Sequence, residues 1–214
     1  MRFLTGSNKQ KLFFVPNLTG NSWIVIFKRH ILGKVNFARD WNDYKNGFGD
    51  PSGDYWIGLE QMHELTNFIP MQLRIEMYGW LYNETSTRNG YAAYTSFTIG
   101  PESDSYRLNV SGYTGDTGQD CFSSPVFKNL NNNGKMFSTP DHQNPNAGCA
   151  SDVSFWLAAT WPCSNSYFTN FVSLSSLPAR FCGLISGYEA LFLIQKMSWI
   201  IAPQGTEPAP NYIL

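Results

Sequence analysis

The segment at 23–66, WIVIFKRHILGKVNFARDWNDYKNGFGDPSGDYWIGLEQMHELT, constrains the fold of this chain more than any other feature. Its first seven residues are rich in β-branched and aromatic side chains and predict a short strand. A basic and aromatic segment follows, and a Gly/Asp/Pro/Ser cluster at 47–53 predicts a turn. An aromatic step then ends at Gly58, and residues 61–65 predict a helical turn. This order indicates a loop-rich fold with an aromatic core.

The composition agrees with such a fold. The chain has 214 residues, of which 14% are charged and 16% are aromatic, with 18 Gly and 12 Pro. This length suits one domain with a substantial core. The formal net charge of -1 gives no overall field that would draw the chain to nucleic acid or to an anionic membrane. The sequence has no apolar run of about 18 residues, as a membrane-spanning helix requires.

Alternating polar and apolar residues predict further strands. The clearest case is 72–78, QLRIEMY, whose period of two is typical of a half-buried strand. Shorter or less regular runs predict strands at 12–15, 91–99 and 106–110. The block at 122–182 is rich in Asn, Ser, Gly and Pro and predicts long loops.

The 23–66 segment resembles the fibrinogen-related domain family, whose typical pattern is GGWTVIQRR…F.R.W..Y..GFG...GE.W.G...IH.LT. Residues 111–118, SGYTGDTG, are similar to the family segment sGy.Gt.GD, and 200–203, IIAP, stand where the family ends in IRP. The apolar run at 190–201 resembles the closing strands of the family. The resemblance implies an α+β fold with a central antiparallel sheet, short helices and a long, loop-rich C-terminal lobe that binds ligands.

The same resemblance predicts the domain organisation. Residues 1–22 correspond to a truncated N-terminal segment, 23–203 to the fibrinogen-like domain, and 204–214 to a flexible Pro-rich tail. The first residues, MRFLTGSNKQK, lack the apolar core of a signal peptide, so we expect the leader to lie outside this chain. Oligomerising segments in this family normally precede the domain, and we expect the full-length protein to be a homo-oligomer that gains avidity from it.

Cysteine and sequon usage favours secretion. Three N-x-[ST] sequons begin at Asn17, Asn83 and Asn109 and predict a glycoprotein. Four cysteines allow three pairings if all are bridged, or they are buried free thiols: Cys121, Cys149, Cys163 and Cys182. The resemblance implies a Cys149–Cys163 disulfide, which would stabilise the fold by roughly 3 kcal/mol, and leaves Cys121 and Cys182 for a second bridge.

The segment at 137–150, FSTPDHQNPNAGCA, resembles the family's calcium loop, FST.D.D.D…NCA. Calcium prefers several oxygen ligands, including two or more carboxylates. The first family acid is retained as Asp141, the second is replaced by Gln143, and Pro145 stands at the third acidic position. Two interpretations therefore stand side by side: a weak calcium site at Asp141 and Gln143, or a loop that binds no metal.

In lectins of this family an acetyl group enters a small aromatic pocket beside the first cysteine of the bridge. The resemblance places this pocket at Gly148, Cys149, Trp161, Ser164, Tyr167 and Tyr188. Apolar walls around the methyl group and a backbone amide for the carbonyl oxygen are typical of such small-ligand sites. Three positions depart from the pattern. Ser164 replaces the family's His, Thr160 replaces its Tyr, and Gly148 replaces its Asn or Arg.

No motif in the sequence predicts an enzyme. His63-Glu64 begins like the zinc motif H-E-x-x-H, but the second histidine is replaced by Asn67, and the segment matches the family's structural IH.LT. The basic cluster of Lys28, Arg29, His30, Lys34 and Arg39 is followed by Asp40 and Asp43. This order predicts an internally paired, solvated surface instead of a nucleic-acid groove.

Two functions follow from the resemblance. The first is a secreted, carbohydrate-binding lectin of innate immunity that takes glycans or acetylated groups. The alternative is an adhesion or receptor-ligand domain that binds a cell-surface protein without sugar or calcium. Loss of the calcium acid and of the family's histidine fits the alternative.

Overall fold

A computed structural model of the chain describes residues 12–16, 22–30, 32–81, 86–116, 120, 122–123, 131–143, 154–156, 180–181, 184–185, 188–189 and 192–207. Within these residues, three helical segments are present: α1 (Trp41–Asn46), α2 (Leu59–Phe68) and one 3₁₀ turn (Glu102–Asp104). The long strands of the described part are β2 (Ser22–His30), β5 (Met71–Leu81), β6 (Arg88–Ile99), β7 (Leu108–Gly115) and β13 (Phe192–Pro203). The short strands are β1 (Phe13–Pro16), β3 (Phe48–Gly49), β4 (Tyr55–Trp56), β8 (Phe137–Ser138), β9 (Phe155–Trp156), β10 (Arg180–Phe181), β11 (Leu184–Ile185) and β12 (Tyr188–Glu189).

The main sheet runs in the order β3-β4-β2-β13-β5-β6-β7, with β1 paired to β2 and β10 paired to β13. All of these pairings are antiparallel. The last long strand of the chain, β13, therefore lies in the middle of the sheet between two strands from the first half. This placement brings residues near 196 beside residues near 30.

The alternation that predicted a strand at 72–78 has a direct structural cause. On β5, Leu73, Ile75 and Met77 face the core, and each has almost no exposed surface. Successive side chains of a strand point to opposite faces, so every second residue shares this side of the sheet. Trp199 on β13 lies opposite Ile75 and joins the same face.

Three tryptophans form the centre of the aromatic core. The rings of Trp156 and Trp199 are stacked with centroids 6.2 Å apart, and the centroid of Trp56 lies 6.2 Å from that of Trp156. The indole N–H of Trp156 donates to the carbonyl oxygen of Tyr106 (2.8 Å), and the indole of Trp56 donates to the carbonyl oxygen of Tyr44 (2.9 Å). Buried tryptophan requires such a partner for its N–H. The indole N–H groups of Trp56 and Trp156 are thus satisfied inside an apolar core.

Helices α1 and α2 meet at Gly58. Asp40 caps α1 by accepting a hydrogen bond from the amide of Asp43 (2.9 Å). Gly58 precedes α2 at φ 104°, and a Cβ atom there would lie 2.7 Å from the carbonyl oxygen of Lys45. Only glycine combines this positive φ with such a close backbone approach. The aromatic-to-glycine step of the sequence is therefore the joint between the two helices.

The α+β fold with a central antiparallel sheet is confirmed. The helix predicted at 61–65 is longer, at Leu59–Phe68, and the strand predicted at 106–110 begins later and continues to Gly115. The start of the predicted tail at 204–207 is held by the side chain of Gln72, whose amide donates to the carbonyl oxygens of Pro203 (3.1 Å) and Thr206 (2.8 Å). Residues 208–214 lie outside the described part.

Candidate functional site

The predicted acetyl pocket falls almost entirely outside the described residues. This holds for Gly148, Cys149, Trp161, Ser164 and Tyr167. Tyr188 lies in β12, whose backbone pairs with β11. Cys121, Cys163 and Cys182 also lie outside the described part, so both disulfides remain predictions.

The loop that carries Asp141 is a tight hairpin fixed to the start of α1. Thr139 and His142 exchange two backbone hydrogen bonds, each 3.1 Å. The Asp141 carboxylate accepts from the backbone amide of Trp41 (3.0 Å to Oδ1) and from the hydroxyl of Thr139 (2.7 Å). A carboxylate at the first turn of a helix also interacts favourably with the helix dipole. Asp141 therefore holds the hairpin against a helix that lies a hundred residues earlier in the chain.

The Trp41 ring is the platform on which this hairpin rests. His142 stacks on it with ring centroids 3.9 Å apart, and Tyr106 packs at 5.6 Å. The Trp41 indole donates to Glu102 Oε1 (3.0 Å), and Lys45 donates to Glu102 Oε2 (2.5 Å). The hydrogen bonds from Lys45 and then from Trp41 hold the pKa of Glu102 below its usual range. Glu102 is therefore ionised at neutral pH and holds the Trp41 ring in place through these hydrogen bonds.

The described part of this loop does not supply the donor set that calcium prefers. Asp141 is its one carboxylate, and it already accepts hydrogen bonds from Trp41 and Thr139. Gln143 is exposed and brings no charge. Within the described residues, His, Cys, Asp and Glu form no group of three or more that would hold a metal ion. The retained acid therefore makes structural contacts of its own, to the start of α1 and within the hairpin.

A concavity lies at the end of β2, beside the loop that follows this strand. Its volume is about 610 Å³. It is lined by Lys28, Arg29, His30, Leu32, Gly33, Lys34, Val35, Asp50, Ser52, Gly53, Asp54 and Lys196. We call this concavity the basic pocket. Four cationic side chains and two carboxylates line it, so its net charge is +2 with His30 neutral.

Asp54 organises one wall of the basic pocket. Its carboxylate is buried and accepts hydrogen bonds from the amides of His30 (2.9 Å) and Val35 (3.2 Å). The chain turns between them, and a Cβ atom on Gly33 would lie 1.8 Å from Asp54 Oδ2. Glycine at 33 therefore permits the loop to close over the carboxylate. In addition, the amide of Leu32 donates to Nδ1 of His30 (3.0 Å), which fixes that ring.

Lys28 and Lys196 reach the basic pocket from neighbouring strands. In the β2–β13 pairing, Lys196 lies opposite His30 and Ser198 lies opposite Lys28. Opposite residues of an antiparallel pair point to the same face, as do residues two apart on one strand. Burial, followed by repulsion from Lys196, lowers the pKa of Lys28, while Asp54 opposes this shift. The ammonium groups of Lys28 and Lys196 thus line the same pocket, which is partly shielded from water.

Arg29 adds a buried positive charge to the pocket wall. Its guanidinium lies 4.1 Å from the centre of the Phe37 ring, a cation–π contact. Burial lowers the pKa of Arg29 to about 10, while Tyr44 and Asp54 oppose the shift. The group therefore stays charged at neutral pH.

The structure revises the predicted pairing of the basic cluster. Arg39 does pair with Asp43, at 3.0 Å. Asp40 caps α1 instead, and Lys28 and Lys34 face the basic pocket, whose carboxylates are Asp50 and Asp54. Lys196 was not predicted from the sequence, because no local pattern places β13 beside β2.

His63 has the structural role that the sequence predicts. Its Nδ1–H donates to the carbonyl oxygen of Ile99 (2.8 Å), which ties α2 to the end of β6. Asn67 at the second position of the apparent zinc motif is exposed. His63 therefore serves to hold a structural helix in place.

Comparison with known families decides the classification. The model of the C-terminal globular domain of fibrinogen beta and gamma chains matches residues 4–171. The chain belongs to the fibrinogen C-terminal domain family. The match covers the 23–66 segment on which the resemblance was first based.

Curated relatives of this fibrinogen-like chain include angiopoietins and angiopoietin-related proteins. Angiopoietin-4 of Bos taurus is 41% identical over 140 residues, which are 65% of this chain and 26% of the relative. Angiopoietin-related protein 7 of Homo sapiens is 39% identical over 141 residues, which are 66% of this chain and 37% of that protein. The match therefore spans 26% and 37% of the length of these two relatives.

Solved structures share the fold over nearly the whole chain. The fibrinogen-like globe domain of human ANGPTL6 has a TM-score of 0.64 and 27% identity, covering 92% of this chain and 90% of that one. Lamprey fibrin D-dimer, complexed with the peptide Gly-His-Arg-Pro-amide, has a TM-score of 0.71 and 25% identity, covering 98% of this chain and 73% of that one. In the described part of the chain, no helix has the length and apolar character needed to cross a bilayer.

Proposed function

We propose that this fibrinogen-like chain is a secreted recognition domain that binds a protein partner and catalyses no reaction. The proposal follows the second of the two functions drawn from the sequence. Relatives of the chain are angiopoietins and angiopoietin-related proteins, and a solved structure of the same fold is complexed with a peptide. Neither comparison supports the carbohydrate or innate-immunity interpretation.

Support for a protein partner over a sugar also comes from the contacts of Asp141. The acid that would bind calcium beside an acetyl pocket is instead bonded to the Trp41 amide and the Thr139 hydroxyl. Gln143 replaces the second acid of the family's calcium loop, so residues 137–150 contain one carboxylate. Ser164 also replaces the family's histidine after the second cysteine. The predicted acetyl pocket therefore departs from the family pattern both at the calcium loop and after the second cysteine.

The described histidines support binding over catalysis. His63 is bonded to the Ile99 carbonyl, His142 stacks on Trp41, and His30 accepts from the Leu32 amide. General-base catalysis requires an imidazole that reaches a substrate or a nucleophile. Each ring instead has a structural contact.

Secretion rests on separate features. The Asn109 side chain is exposed on β7, as a glycosylated asparagine must be, and the family resemblance favours an extracellular domain. Oligomerisation through a segment outside this chain would raise weak single-site affinity by avidity.

A cell-binding experiment tests the proposal. The purified chain, fluorescently labelled and clustered on beads, is incubated with cells of the source organism. Binding that is lost after trypsin treatment of the cells, and retained after enzymatic removal of their glycans, supports a protein partner. Binding that survives trypsin but disappears with glycan removal or with free N-acetylglucosamine overturns it. The thermally unfolded chain is the control for non-specific adhesion.

A further inference from the structure

The basic pocket is lined by residues other than those of the predicted acetyl pocket. We propose that it takes an acidic segment of the protein partner, with a carboxylate beside Lys28 and Lys196 and an apolar side chain against Leu32. The inference rests on the proposed function, because it names the surface and the chemistry by which that partner is held.

Charge is the first argument. The chain as a whole has a formal charge of -1, whereas the basic pocket carries +2. The positive charge is therefore concentrated locally and is not part of a uniformly basic surface. A concave site with a net positive charge attracts an anionic ligand and raises its association rate.

The arrangement of the lysines is the second argument. Lys28 and Lys196 lie on the same face of β2 and β13, and Lys28 is repelled by Lys196 and partly removed from water. A bound anion would offset both the repulsion between the two lysines and the lost hydration of Lys28. The β13–β5 pairing shifts register between Ile194 and Lys196, directly beside the second lysine. Such bulges commonly redirect a side chain next to a functional site.

The pocket also selects against densely charged ligands. Asp50 and Asp54 stand in the same wall as the lysines and would repel a heavily sulfated polysaccharide. Leu32 is 75% exposed at the rim and Val35 lines the same pocket. One or two negative charges beside an apolar group match this surface, and that combination is common in peptide segments.

The size is appropriate for one or two side chains. The volume of about 610 Å³ lies within the range of roughly 300–1,000 Å³ that is usual for small-ligand sites. Lysine binds anions as a flexible point charge, without the fixed fork geometry of arginine. We therefore expect selectivity for acidic character rather than for one exact sequence.

The test uses fluorescence anisotropy with a labelled peptide, acetyl-Gly-Leu-Glu-Glu-Leu-Gly-amide. We expect saturable binding that weakens as sodium chloride is raised, because partly exposed charges are screened. The matched peptide with two glutamines in place of the glutamates should bind about tenfold more weakly. This comparison uses the unaltered protein and needs no variant to fold.

Variants then locate the site. We expect Lys28→Gln to weaken binding of the glutamate peptide about fivefold, and the double variant Lys28→Gln with Lys196→Gln about tenfold or more. Lys135→Gln, which alters a lysine outside the pocket, should leave binding unchanged. Thermal melting of each variant checks that the fold is retained.

Three results would overturn the inference. They are unchanged peptide binding by the folded double variant, equal binding of the two peptides, and tighter binding of a heparin-derived hexasaccharide that the double variant loses. The cell assay separates this inference from the proposed function. If the double variant still binds cells in a trypsin-sensitive manner, the pocket inference fails while protein recognition stands. If the unaltered chain shows no trypsin-sensitive binding, the proposed function itself fails.

Discussion

Replacing Asp141 by alanine tests whether this acid serves the fold or a metal. The carboxylate accepts hydrogen bonds from the Trp41 amide at 3.0 Å and from the Thr139 hydroxyl at 2.7 Å. Losing a carboxylate that bonds a helix-terminal amide costs about 1–2 kcal/mol when the group is exposed to solvent, as Asp141 is. For a chain of this size, that loss lowers the melting temperature by about 2–8 °C.

The measurement is urea unfolding followed by tryptophan fluorescence, in EDTA and again in about 5 mM calcium. We expect the full loss in EDTA, because the account gives Asp141 a role that needs no ion. If calcium binds with a dissociation constant near 1 mM, as in the weakest extracellular sites, it would add about 1 kcal/mol to the unaltered chain. Its effect on the melting temperature should therefore be small.

Asp40→Ala is the matched control. Asp40 caps the same helix through the amide of Asp43, at 2.9 Å, and should cost about 1 kcal/mol in either buffer. The reasoning about Asp141 is refuted if Asp141→Ala is as stable as the unaltered chain in EDTA, while a large stabilisation by calcium disappears in the variant.

Three further predictions concern stability. Gly58→Ala should destabilise by at least about 2 kcal/mol in urea unfolding, because a Cβ would contact the Lys45 carbonyl at positive φ, whereas Gly53→Ala, with open space around it, should change stability by less than about 0.5 kcal/mol. Glu76→Gln should cost about 3 kcal/mol because it breaks a buried pair with Arg74 (2.7 Å), and a loss below about 1 kcal/mol, typical of exposed pairs, would contradict this. Glu102→Gln should be less stable than the unaltered chain at pH 7. This difference in stability should vanish as the pH falls below the ordinary carboxyl value near 4.5 and through the lowered pKa of Glu102. A difference that persists at pH 2 would contradict this.

Local features of the sequence predicted the local parts of the fold. The alternation at 72–78 follows from one buried face of β5, and the aromatic-to-glycine step follows from the positive φ at Gly58. The family resemblance supplied the sheet and its antiparallel character, which no local pattern contains. The strand at 72–78 and the turn at Gly58 are thus determined by a few neighbouring residues, whereas the sheet is implied by the family pattern.

The contacts that define the candidate sites join distant parts of the chain. Asp141 bonds to Trp41 across a hundred positions, so its structural role is invisible until α1 and the hairpin are placed together. Lys196 joins Lys28 only because β13 lies beside β2 in the sheet. The sequence therefore left Asp141 between a weak calcium site and a loop that binds no metal, and local charge order paired the basic cluster with Asp40 and Asp43. The three-dimensional arrangement gives Asp141 two protein partners and places Asp40 at the cap of α1.

The most direct test of protein recognition over sugar recognition is a titration with N-acetylglucosamine and an acetylated glycan array in calcium-containing buffer. We expect no saturable binding to either, with Trp161→Ala indistinguishable from the unaltered chain. Saturable binding that Trp161→Ala abolishes would contradict it and would restore the lectin interpretation.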